Sequence, residues 1–282
     1  MRYDAAIIGS GPAGLAAALT LAIRRKNFLL FGSERLSASV ERSPKIDNYL
    51  GLPEITGPQL IARFREHLER MQIALTPEQV LGVYPMDGHF SLTTAGNVYE
   101  AQTVILATGA APTDTLPGEA ELLGRGVSYC ATCDAPLYKG KTVAVLGWGG
   151  HAADEASFIA EIAEQVYYLP MTKHAAPQGK NITPLGGPAL EILGNGKTLA
   201  LRTVQQTLPV DGVFILRESL PTAALVPGIE AQDGHPAVDM HMRTSIPGLY
   251  AAGDLTGPPH QLMRATGQGQ TAAFAAISHL KG

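Results

Sequence analysis

Two cysteines occur in the chain, Cys130 and Cys133, and they stand as Cys130-Ala131-Thr132-Cys133. A CxxC spacing lets two thiols close a small disulfide ring and lowers the pKa of one of them, which is the chemistry of dithiol-disulfide exchange. Asp134 follows at once, and a carboxylate there either moves protons during thiol exchange or caps the next turn. A structural zinc site needs two further ligands, and neither a second CxxC nor a close pair among the eight histidines supplies them. Buried, unreactive thiols are the remaining plain alternative.

A second chemistry is written in Gly9-Ser10-Gly11-Pro12-Ala13-Gly14, which satisfies GxGxxG between a short apolar run and a run of small residues. In a strand-turn-helix context the first glycine makes the turn, the second admits a pyrophosphate to the backbone, and the third lets the helix pack closely. The helix N-terminus then stabilises the phosphate charge. Glu34 lies 34 − 14 = 20 residues after Gly14, at the end of the next expected strand, where an acid binds a ribose hydroxyl.

Gly147-Trp148-Gly149-Gly150-His151-Ala152 fits GxGxxA in the same context and by itself points to a second dinucleotide. Yet no acid stands near position 172 and no arginine cluster follows, since the chain reads Tyr168-Leu169-Pro170-Met171-Thr172-Lys173-His174. Trp148 and His151 are also bulky where a cofactor phosphate needs room. Two readings stay open: a working nucleotide site, or a relic that packs without binding.

These sites require elements to hold them. Tyr3–Ile8 reads as a buried strand, Pro12–Leu21 as a helix and Asn27–Phe31 as the next strand, a βαβ unit that implies a parallel sheet. Gly57–Met71 reads as an amphipathic helix, Val80–Tyr99 as a β-meander and Thr103–Leu106 as a separate strand. A second βαβ unit is expected from the strand Thr142–Leu146, the helix Ala153–Glu164 and the strand Val166–Leu169. Pro170–Gly196, rich in Pro, Gly and Asn, reads as loop. Asp211–Leu216 and Leu249–Ala252 read as strands, and Gly267–Leu280 as a closing helix. Pro112–Gly118 and Ser219–Pro227 read as the two crossings between halves. The expected fold is α/β, with two Rossmann-like domains, the second inserted into the first. Residues 1–112 and 218–282 would form the discontinuous outer domain and 113–217 the inserted one.

With 282 residues, there is room for two domains. The net charge of 21 − 25 = −4, without long blocks of either sign, does not point to nucleic acid or to an anionic membrane. The apolar stretch Ala5–Ile23 has the length of a membrane span, but the glycines at its centre would break a spanning helix. Two cysteines exclude a multi-bridge secreted scaffold, and the context reads as cytoplasmic.

Taken together, GSGPAG at 9–14, ATG at 107–109, CATCD at 130–134, GWGGHA at 147–152 and TSIPGLYAAGD at 244–254 resemble the low-molecular-weight thioredoxin reductases over almost the whole chain. The resemblance implies an FAD domain interrupted by a smaller domain that carries the CxxC, and a homodimer. It implies that Gly9, Gly11 and Gly14 hold the FAD pyrophosphate, with Ser10, Pro12, Ala13, Glu34, Thr108, Gly109 and Gly253 also in the cofactor set. Asp254 would bind the ribityl chain, and Asn48 and Gln261 would lie along the flavin. By the same resemblance Cys133 faces the flavin, Cys130 attacks the disulfide of thioredoxin, and Asp134 is the acid-base partner.

Three departures from the family pattern stand out. The arginine-containing NADPH signature is missing, Glu34-Arg35-Leu36-Ser37 replaces a Gly-Gly-Gln-Leu type of turn, and the inserted domain looks short. The first and third resemble the branch that takes electrons from ferredoxin. An NAD(P)H-dependent reductase, a flavin-binding redox sensor, and a flavin enzyme acting on a small disulfide or a peroxidase partner are the alternatives. Arg24, Arg25, Lys26, Arg35, Arg42 and Lys45 are candidates for a ferredoxin-facing basic patch, against the plainer reading of a solvated face.

Overall fold

The computed structural model describes residues 2–110, 115–148, 151–195, 199–217 and 220–281. Parts of both expected crossings (Pro112, Thr113, Asp114 and Ser219) and of the second glycine turn (Gly149, Gly150) lie outside the described residues. The chain divides into two compact units, Met1–Ala111 with Pro221–Gly282, and Pro112–Leu220.

In the first unit, strand Arg2–Ile8 lies between strands Phe28–Phe31 and Val98–Leu106, parallel to both. Helix Pro12–Ile23 connects the first two, starting with Pro at a position where a missing N–H costs nothing. It is apolar almost all round, because one side covers the sheet and the other packs on helix Leu262–His279. That second contact is built from small residues: Ala13, Ala17 and Ala18 on one helix, Ala272, Ala273 and Ala276 on the other, all buried. Gly269 lies so close to Ala13 that a Cβ would collide with the Ala13 carbonyl. Helix Gly57–Arg70 matches its expected span and is fixed at its start by a capping box between Thr56 and Gln59.

The expected meander and the separate strand 103–106 are joined in the structure, since Val98–Leu106 is one continuous nine-residue strand. Its first half pairs antiparallel with His89–Thr93, and its second half pairs parallel with Leu249–Ala251. Glu100 and Gln102, which lie at and near the junction of the two expected segments, are outward-facing positions of this one strand.

In the second unit, a parallel sheet runs in the order Val127–Ser128, Gly212–Leu216, Thr142–Gly147, Gln165–Pro170, Ile182–Pro184. The central pair is buried almost throughout, as strands covered on both faces must be. The expected loop 170–196 is a correction: it contains Ile182–Pro184 and Ala189–Gly194. The latter begins an antiparallel sheet with Leu199–Thr203 and Thr207–Val210, which the sequence reading missed. Local Pro and Gly content marked turns there, and cross-strand pairing between short segments overrode it. Helices also shift at their ends: the expected 153–164 is His151–Ala160, and the expected 267–280 begins at Leu262.

Candidate functional site

The first glycine turn has the cradle geometry its sequence implies. Gly9 sits at φ +114°, and a Cβ there would meet the Ala107 carbonyl, while one at Gly14 would meet the Gly9 carbonyl. These two glycines are required by the protein's own packing. Gly11 differs: its backbone is extended, and nothing lies within 4 Å of where its Cβ would be. Gly11 is also the N-cap of helix Pro12–Ile23, whose first N–H groups receive no side-chain cap. An open approach in front of uncapped helix amides is what a pyrophosphate needs. Gly109, at φ +85°, likewise has open space before it, beside Thr108 at the end of strand Val98–Leu106. On these observations the residues present fit a dinucleotide.

Ser10 is buried and donates its hydroxyl to the Leu36 carbonyl at 2.9 Å, so its side chain fastens the loop after the second strand. Glu34 lies exposed in that loop, three residues past the strand end rather than on it, and its carbonyl accepts from Arg65 at 3.0 Å. Pro12 and Ala13 open the helix. Gly253 and Asp254 begin a short 3-10 turn, Gly253–Thr256, placed against Ala13 and Ala265 by the absence of a side chain at Gly253. The Gly253 N–H donates to Gln268 at 2.9 Å and the Thr256 hydroxyl to the Gly253 carbonyl, so the turn does not need the Asp254 carboxylate for its closure. Asn48 and Gln261, 213 positions apart, are brought together by an Asn48 Nδ2–Gln261 Oε1 hydrogen bond of 2.8 Å. Gln268 and Arg264, which holds the carbonyl of Gly257 at 2.6 Å, escaped the sequence reading because helical spacing alone does not mark them as supports of a turn.

In the second unit Cys130 and Cys133 form a disulfide, with Cα atoms 5.4 Å apart. Cys130 is the N-cap of the short helix Ala131–Asp134, and the Cys133 amide donates to its Sγ at 3.1 Å. Ser128 brackets the same residue, accepting from the Cys130 amide at 3.0 Å and donating to its carbonyl at 3.2 Å. Cys133 is exposed and Cys130 half-buried. Asp134 is half-buried and makes no side-chain cap to the 3-10 turn Ala135–Tyr138, so the capping alternative for it is not used. Burial, and after it the Asp134 charge, raises the Tyr138 hydroxyl above its ordinary range.

The second glycine turn presents a different interior. A Cβ on Gly147 would collide with the Tyr168 hydroxyl, and burial pushes that hydroxyl's pKa up to about 12. The same hydroxyl bonds His174 Nε2 at 2.5 Å, and His174 Nδ1 lies 3.3 Å from the Thr172 hydroxyl. The residues standing where a ribose ligand would follow the strand are thus engaged within the unit. The Trp148 ring is covered by the Arg217 guanidinium, 4.4 Å from its centroid. Of the basic candidates, Arg35 pairs with Glu41 and Lys45 with Asp47 and Glu54, while Arg24 lies over the Phe274 ring. No helix among the described residues is long and apolar enough to cross a membrane.

Residues 3–269 match the family model described as pyridine nucleotide-disulphide oxidoreductase. The chain is 33% identical over 306 residues to a thioredoxin reductase of Peptoclostridium litorale, covering 99% of this chain and 97% of that one. It is 34% identical to a Pseudomonas putida alkyl hydroperoxide reductase subunit, of whose length it spans 58%. A crystal structure of a ferredoxin-flavin thioredoxin reductase from Clostridium acetobutylicum superposes with a TM-score of 0.95 at 45% identity, covering 100% of this chain and 98% of that one.

Proposed function

The chain belongs to the pyridine nucleotide-disulphide oxidoreductase family, and we propose that within it the protein is a thioredoxin reductase that draws its electrons from reduced ferredoxin. The observation that carries the reading is the Cys130–Cys133 disulfide at the head of a helix, on a chain that also keeps an open dinucleotide cradle at Gly11. The donor assignment is supported by Trp148 of the second glycine turn and by Tyr168 and His174 on and after the following strand, all committed to partners inside the unit.

The Gly9–Gly14 turn with Thr108, Gly109, Gly253 and Asp254, together with Glu34, Asn48 and Gln261, would hold FAD, which would supply the means to accept electrons singly and release them in pairs. Two reduced ferredoxins provide two electrons, and with two protons the disulfide opens to two thiols. Cys130 then gives its proton to Asp134, and the Cys133 amide stabilises the resulting thiolate at Cys130 Sγ by the hydrogen bond already present. That thiolate attacks one sulfur of the thioredoxin disulfide, whose other sulfur leaves as a thiolate and takes a proton, with Asp134 as the nearby acid. Cys133 then attacks the mixed disulfide, releases reduced thioredoxin and restores the Cys130–Cys133 bond. The working form in this reading is a homodimer in the cytoplasm.

The test is anaerobic bleaching of the purified yellow protein with reduced ferredoxin, NADPH and NADH, each with thioredoxin present. Turnover with ferredoxin alone is expected; rapid bleaching and turnover with NADPH would overturn the donor assignment, and bleaching without thioredoxin reduction would overturn the acceptor.

A further inference from the structure

Among the described residues of the second unit, the most deeply buried charges form a group that the reaction above leaves unused. Glu119 is 1% exposed and Arg217 6% exposed, and they form a two-pronged ion pair: Nη1 donates to Oε1, and Nη2 donates to Oε2 at 3.0 Å. The remaining capacity of the carboxylate is filled by the Leu116 amide at 2.9 Å on Oε2 and the Tyr129 hydroxyl at 2.9 Å on Oε1. Burial and the Glu119 charge hold that hydroxyl well above the ordinary phenol range, so it remains a donor at any working pH. On the far side the guanidinium lies over Trp148, the first variable residue of the second glycine turn. On the near side, Tyr129 stands between Ser128, whose hydroxyl brackets Cys130, and Cys130 itself.

We propose that Glu119 and Arg217 are positioning residues for the Cys130–Cys133 couple, acting through Tyr129, with Trp148 as the wall against which the guanidinium is held. Trp148 then has a use in this chain: it backs the guanidinium that, through Glu119 and Tyr129, anchors the segment delivering Cys130. The inference rests on the reading of Cys130 and Cys133 as the exchanging pair, and on nothing about the electron donor or the acceptor.

The physical link is proximity. The ease with which two thiols close a ring depends on how narrowly each is held before the bond forms. Releasing the Tyr129 ring widens the range open to Cys130 and favours the open dithiol. Tyr129→Phe, which keeps the ring and removes one hydroxyl, should shift the disulfide-dithiol equilibrium toward dithiol by about three- to tenfold, tenfold being about 30 mV for a two-electron couple.

The experiment equilibrates the flavin-loaded protein in buffers of reduced and oxidised dithiothreitol, quenches with acid, alkylates, and counts free thiols by mass. Trp148→Leu, which removes the stack, should shift the equilibrium the same way, and the double variant by less than the product of the two. Tyr168→Phe is the control, since it removes another buried tyrosine hydrogen bond of the same unit outside the group. It should lower the thermal midpoint and leave the equilibrium within twofold of wild type. A Tyr129→Phe equilibrium within twofold of wild type would overturn the proposal, as would an equal shift in Tyr168→Phe. Should Trp148→Leu not fold, the Tyr129→Phe and Tyr168→Phe pair decides alone. Because neither thioredoxin nor ferredoxin enters the assay, failure of the functional reading would not disturb its outcome.

Discussion

Replacing Gly11 by Ala separates the cofactor's needs from the protein's own. The Gly11 backbone, φ −74° and ψ −178°, suits any residue, and a methyl group there meets nothing within 4 Å. Stability of the flavin-free protein should therefore change by no more than about 0.5 kcal/mol, the size of a weak N-cap preference. The methyl group nevertheless enters the space through which a pyrophosphate reaches the helix amides. A hundredfold loss of FAD affinity is expected, which is about 2.7 kcal/mol. At an FAD concentration 100 times the wild-type dissociation constant, the ligand adds about 2.7 kcal/mol to wild-type stability and only about 0.4 kcal/mol to the variant. Titrating deflavinated protein with FAD by fluorescence, and following thermal unfolding with and without FAD, measures both quantities. Gly14→Ala is the contrast, because its methyl group would strike the Gly9 carbonyl and should cost roughly 1–3 kcal/mol before any cofactor is added. Wild-type FAD affinity in Gly11→Ala would refute the assignment of the cradle, and a strongly destabilised flavin-free Gly11→Ala would refute the structural premise.

Cys130→Ser should retain flavin and lose thioredoxin reduction, whereas Cys133→Ser should accumulate a mixed disulfide with thioredoxin, visible on a non-reducing gel; the opposite pattern would exchange the two roles. Gln268→Leu leaves the Gly253 amide without its 2.9 Å acceptor and should cost roughly 1–2 kcal/mol, with a lower flavin content in the purified protein. Glu78 accepts from the hydroxyls of Thr94 and Tyr99, each at 2.6 Å, and from Asn97, and these bonds hold its pKa below the ordinary carboxylate value. Its contribution is therefore complete above about pH 4.3 and is lost as the pH falls through the lower folded value, so the stability gap between wild type and Glu78→Gln should close on acidification. The bond to Glu78 pushes Tyr99 up to about 12, so the gap between wild type and Tyr99→Phe should be full below about pH 10 and shrink as the pH rises toward 12. A pH-independent gap in chemical denaturation would sink either claim.

Local sequence was sufficient wherever the chemistry is local. The Gly9–Gly14 and Cys130–Cys133 motifs act through neighbours a few positions away, and runs such as Thr142–Leu146 and Phe28–Phe31 are strands by composition. The same reasoning failed where pairing partners are distant. The expected segments 80–99 and 103–106 hid the continuity of Val98–Leu106, and Pro and Gly content hid the hairpins after Pro188, because only a strand partner reveals which residues face outward.

Spacing also could not show what Trp148 of the second glycine turn packs against. The missing ribose and phosphate ligands are legible in the chain, but Glu119 and Arg217 are 98 positions apart, and nothing in either neighbourhood marks one as the other's partner. The sequence by itself therefore determined the glycine turn proposed as the cofactor cradle, the CxxC pair and the absence of an NADPH signature, since each is a pattern of residue types over short distances. Tertiary structure alone decided that Gly11 is open while Gly9 and Gly14 are packed, and that Tyr168, His174, Trp148 and Arg217 are engaged within the second unit. Steric contact and burial are relations between segments that the fold brings together, and no single segment carries them.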